Sequence, residues 1–92
     1  MTKEAEIRRA HGVERITNDP LFVEAWDALR GRLLVLMETA QTDEATLKAK
    51  LALGLLTDLR RHWDRIAADG KMAAQDIALD EQKKKKWFQR AA

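Results

Sequence analysis

Apolar positions along this chain recur in steps of three and four. Phe22, Trp26, Leu29, Leu33, Leu36 and Ala40 are spaced 4, 3, 4, 3, 4, and Ala45, Ala49, Ala52, Leu56, Leu59 and Trp63 repeat the same spacing. Such a stripe is the seam of a helix that packs along a partner. It predicts one helix from Pro20 to about Ala40 and a second from Glu44 to Asp69. No stretch alternates apolar and polar residues in the manner of a half-buried strand. Folding the chain back at Thr42-Asp43 brings the stripes together rung by rung, from Ala40 with Ala45 beside the turn to Phe22 with Trp63 at the open end. A heptad pattern reads the same in both directions, so one choice of register aligns every rung. Large residues then face small ones near the turn, as close helix packing requires.

The punctuation agrees with this reading. Asp19 suits an N-cap, and Pro20 suits the first helical position, where its missing N–H costs nothing. Thr42 or Asp43 can cap the second long helix, and Gly70 is a good residue to end it. Residues 3–17 can form a short helix, thin in large apolar side chains, that either docks or frays. Its Gly12 costs about 1 kcal/mol relative to alanine. Residues 71–90 are helix-compatible, with Met72, Ile77 and Leu79 as anchors. The expected architecture is therefore all-α: an N-terminal arm over 1–19, an antiparallel, coiled-coil-like helical hairpin over 20–70, and a C-terminal helix and basic tail over 71–92.

The seam does not use all the apolar surface. Around Leu33–Met37 and Leu51–Leu56 the helices are apolar on every side, whereas a hairpin covers one face of each. That leaves Leu34, Val35, Met37, Leu47, Leu51, Leu53 and Leu55 in need of a partner. The N-terminal arm and residues 71–80 could cover them, but they have few large apolar residues to offer, so self-association is the better expectation. Gly54, inside this belt, either admits a neighbouring helix closely or is a tolerated helix glycine.

Size strengthens the case for assembly. A 92-residue chain buries only about 60–65% of its unfolded surface. With no cysteine it has neither a disulfide nor a thiolate metal site to add stability. His11 and His62 lie far apart and lack companion ligands, so no metal or other cofactor is expected. No apolar run approaches the ~18 residues a membrane span needs, and charged residues follow Met1, so a soluble, cytoplasmic protein with no membrane partner is expected.

The net charge of +2 hides an uneven distribution. Residues 1–19 carry four basic and four acidic side chains, 43–70 carry five of each, and the last ten residues carry five basic and none acidic. Lys83, Lys84, Lys85, Lys86 and Arg90 flank the adjacent aromatics Trp87 and Phe88. Lysines bind phosphates through charge and counterion release, and aromatic rings can stack on bases or enter a partner's groove. A solubilising tail is the plain alternative, though exposed Trp-Phe serves solubility poorly. Elsewhere acids and arginines intermix at helical spacing as solvated faces. His62 reads as a surface or packing residue. No phosphate loop, nucleophilic triad or metal spacing is present, so an enzyme is not expected.

The run Asn18-Asp19-Pro20-Leu21-Phe22 leading into Trp26 and Leu29, the hairpin, and the close Asp69-Gly70-Lys71-Met72-Ala73-Ala74 resemble short phage-encoded proteins. Over about residues 18–80 the chain looks like a small terminase subunit, the DNA-recognition factor of tailed-phage packaging machines. The resemblance implies a ring of subunits that binds double-stranded DNA and recruits it to the large terminase subunit in the bacterial host cytoplasm. Many small terminases carry an N-terminal helix-turn-helix domain, and residues 1–17 are too short and polar to be one. DNA contact would then fall to the basic tail, to Arg8 and Arg9, or to Arg60, Arg61 and Arg65. The alternative is a helical structural or adaptor protein of phage head assembly that uses Trp87 and Phe88 to bind protein and never touches DNA.

Overall fold

The structure, a computed structural model, describes residues 1–91. Among them are three helices and no strand: α1 (Lys3–Thr17), α2 (Pro20–Thr39) and α3 (Asp43–Ala91). Each start is built by a side-chain oxygen that takes up orphan backbone N–H groups. Thr2 Oγ1 accepts from Ala5 N at 3.1 Å. Asp19 Oδ1 accepts from Leu21 N at 2.8 Å and Phe22 N at 3.3 Å, with Pro20 beginning α2. Thr42 Oγ1 accepts from Ala45 N at 3.1 Å. Two residues thus separate α1 from α2, and three separate α2 from α3.

The chain forms two compact units, Arg15–Asp64 and a second made of Met1–Glu14 with α3 from Arg65 on. In the first unit, the ring centroids of Phe22 and Trp63 lie 5.3 Å apart, as the rung pairing predicted. Trp26 joins them, 5.7 Å from Phe22 and 6.2 Å from Trp63. These are ordinary spacings for attractive aromatic pairs. Toward the turn, Leu36, Ala40, Ala45 and Ala49 line one groove.

The seam differs from the predicted ladder in detail. Leu29, Leu36 and Leu59 are exposed, while Leu34, Met37, Thr46 and Leu53 are half-buried. A straight helix of 3.6 residues per turn drifts about 20° per heptad from a strict 3.5 repeat. The contact line therefore passes between neighbouring positions rather than through one heptad register. Three residues expected to need an outside partner, Leu34, Met37 and Leu53, are thereby partly covered within the chain.

Gly70 does not end the second long helix. α3 runs through it to Ala91, and Gly70 has no positive φ. Its role is contact with α1. A Cβ added there would collide with the Ala10 Cβ and lie 2.9 Å from the Glu6 carbonyl oxygen. The missing side chain lets the two backbones meet, which offsets glycine's poor helix propensity. Around it, Ala10 is buried and Ala73 is only 2% exposed. Lys3 reaches Asp80 at 3.7 Å on the surface. As the residue number rises along α1, its partner's number on α3 falls, so the two run antiparallel. The N-terminal arm docks through small residues, where the sequence suggested too few large ones.

Gly70→Ala would stabilise an isolated helix, yet here it should destabilise the protein by about 1–3 kcal/mol, the usual cost of overpacking. Gly31, where an added Cβ meets nothing within 4 Å, is the control. Gly31→Ala should stabilise by about 0.5–1 kcal/mol. Thermal unfolding followed by circular dichroism reads both. Two shifts of the same sign would refute the close approach at Gly70.

Candidate interaction surfaces

Among the described residues the buried apolar side chains are Ala10, Ala49 and Ala73, and no large side chain is fully buried. What the chain leaves outside is correspondingly large. Val35 and Leu47 are exposed, Leu51 is 61% exposed and Leu55 71%. The last three lie at positions 47, 51 and 55, one helical turn apart, and form a continuous row along α3. Gly54 sits beside this row with nothing within 4 Å of an added Cβ, so no described residue uses it for close approach.

The basic segment is the end of a helix. α3 continues through Lys83, Lys84, Lys85, Lys86, Trp87, Phe88 and Arg90. Helical periodicity turns this linear run into a face, with Lys83, Lys84, Trp87 and Phe88 lining one shallow hollow. Trp87 and Phe88 are each 65% exposed. Their rings meet edge to face at 5.2 Å. Among the described residues, none of these four lysines nor Arg90 forms an ion pair, whereas Lys48 does so with Glu44 at 3.3 Å.

The other proposed cations are scattered. Arg60 pairs with Asp64 at 3.5 Å and Arg61 with Asp58 at 4.0 Å, both along α3. With Trp26 and Arg30 they line a groove between α2 and α3. Arg30 was not among the residues singled out from the sequence. Its signal was its place one turn after Trp26 and one before Leu34, on the edge of the seam. Arg8, Arg9 and Arg65 are exposed, and Arg9 donates to the Met1 sulfur at 3.4 Å. His11 lines a separate groove with Glu14 and Lys71. Among the described residues no three His, Cys, Asp or Glu side chains gather as a metal site, and no helix is long and apolar enough to cross a membrane.

Set against known proteins, the chain matches no family model, no curated protein and no solved structure. Its own side chains carry the functional argument.

The exposure of Trp87 can be checked directly. With Trp26→Phe and Trp63→Phe, the remaining indole should be quenched readily by iodide, which the neighbouring lysines concentrate. Added chloride should weaken that quenching. In the Trp87→Phe chain, the half-buried Trp26 and Trp63 should be quenched less. Equal quenching of all three would contradict the exposed aromatic end.

Proposed function

We propose that this protein is a non-enzymatic, self-associating helical factor that binds duplex DNA through the C-terminal end of α3, in the manner of a small terminase subunit. α2 and the first half of α3 serve as a coiled-coil-like hairpin core whose surplus apolar surface joins copies. The assembly that the resemblance implies is a ring, acting in the bacterial host cytoplasm to bring viral DNA to the large terminase subunit. The observation that carries the DNA-binding reading is the unneutralised helical face of Lys83, Lys84, Trp87 and Phe88. A helix end with this charge presents cations to phosphates at a fixed spacing, and contacts of that kind dominate affinity for DNA.

The exposed Trp87–Phe88 pair favours a second reading. Duplex DNA offers stacked, inaccessible bases, and two adjacent rings on a helix also suit a protein groove. A helical adaptor or head-assembly protein would use them so and leave DNA alone.

Truncation after Gln82 separates the two. It removes up to five phosphate contacts per subunit, each adding about 0.9 to the slope of log K against log salt. The truncated protein should bind DNA more weakly and with a clearly shallower salt dependence. Equal affinity and slope in both proteins would remove the tail as the DNA-binding element and turn the test to Arg8, Arg9, Arg60, Arg61 and Arg65, whereas no DNA binding by either protein would support the adaptor reading. Trp87→Ala with Phe88→Ala, all lysines kept, should change the salt slope little if charge supplies the binding.

A further inference from the structure

We infer that the exposed leucine face of α3 pairs with the same face of a second copy, antiparallel, about a two-fold axis at the level of Leu53. This deepens the self-association proposed above by naming the contact. At 100° per residue, the face from Glu44 to His62 falls within an arc of about 120°. The seam with α2, whose members on α3 include Thr46, Ala49, Leu53, Leu56 and Trp63, occupies the other side of α3, with Lys48 at the arc's edge beside it.

The sequence on this arc is a palindrome in chemistry. Leu51 and Leu55 are placed symmetrically about Leu53, and so are Leu47 and Leu59. All four leucines are exposed, from 40% at Leu59 to 71% at Leu55. The polar members are placed by the same symmetry and complement one another. Lys48 mirrors Asp58, and Glu44 mirrors His62. An antiparallel second helix therefore sets leucine on leucine at the centre, and Lys48 on Asp58 toward both ends. Turned parallel and in register, the same face would set Lys48 on Lys48 and Asp58 on Asp58, which repel.

Within one chain these charges have only local partners, Glu44 for Lys48 at 3.3 Å and Arg61 for Asp58 at 4.0 Å. Both are exposed pairs of the kind that contribute little and can be shared with a neighbour. Gly54, open on one flank, adds no side chain to hold the second helix away. A contact of this type closes at two copies. A ring would need a second, different contact on the pair, for which Val35 on α2 remains exposed.

The absence of native cysteine makes cross-linking a clean test in the full-length protein. In the two-fold pair, copies of residue 44 lie about 27 Å apart along the axis, as do copies of residue 62, while residue 44 of one chain lies opposite 62 of the other at the middle of the arc. Neither Glu44→Cys nor His62→Cys alone should cross-link on mild oxidation. The two variants, mixed and left to exchange, should give a disulfide-linked dimer, and the double variant should stop at dimers. Cross-linking of either single variant alone would mean a parallel pair, and a ladder from the double variant would mean head-to-tail contact. Each overturns the inference. No cross-link in any sample, with a native mass above the monomer, would place self-association elsewhere. No cross-link with a monomeric mass would remove self-association as well.

Charge exchange gives an independent reading. Lys48→Glu and Asp58→Lys should each weaken the pair roughly tenfold, and the double exchange should restore it. Positions 48 and 58 lie about 15 Å apart on their own helix, so restoration can come only from a second copy. A double variant weaker than either single one would contradict the pairing.

Discussion

Two helices in contact share one seam, and a single seam hides only side chains too short to reach its edges. That constraint governs this protein. Ala10, Gly70 and Ala73 in one unit and Ala49 in the other are buried because they are small, while the leucines and aromatics of α2 and α3 keep part of their surface in water. The energetic consequence is direct. Apolar burial contributes about 25 cal/mol per Å², and the described residues, which fully bury no large side chain, gain little of it. Close backbone approach, as at Gly70 against Ala10, recovers some dispersion energy without supplying a core. The leucine surface that remains is the observation on which the proposed pairing with a second copy rests.

Much of this organisation was legible in the sequence because it depends on local chemistry. Asp19-Pro20 and Thr42 announce helix starts through hydrogen bonds made within three residues. Folding the chain back at Thr42-Asp43 puts Phe22 beside Trp63 on the sequence reading, and the two rings lie 5.3 Å apart. Gly70 was illegible for the opposite reason. Read locally, a glycine after a periodic stretch ends a helix, and only Ala10, sixty positions away, reveals it as a point of close approach. The exchange of Leu36 and Leu59 for Met37 and Leu53 on the seam reflects the mismatch between 3.5 and 3.6 residues per turn, which a fixed heptad ladder ignores.

The candidate surfaces were legible as residue lists but not as faces. The run Lys83–Arg90 shows its charge in any conformation. Its division into a side bearing Lys83, Lys84, Trp87 and Phe88 exists only because α3 persists to Ala91. Leu47, Leu51 and Leu55 were expected to be unpartnered and are exposed. Their mirror relation with Leu59, and that of Lys48 with Asp58, emerges once Leu59 is known to be exposed as well. Of the arginines, Arg60 and Arg61 already have carboxylate partners along their own helix, whereas among the described residues the lysines at the end of α3 form no ion pair.

The central claim is that this chain reaches its stable folded form by association. Its most direct test is the thermal unfolding midpoint measured over a hundredfold range of protein concentration. Association that occurs only in the folded state raises the midpoint as concentration rises, by mass action. The account predicts that increase. A midpoint that stays constant across the range, with the protein fully helical at its lowest concentration, would show that one copy is sufficient and would contradict it.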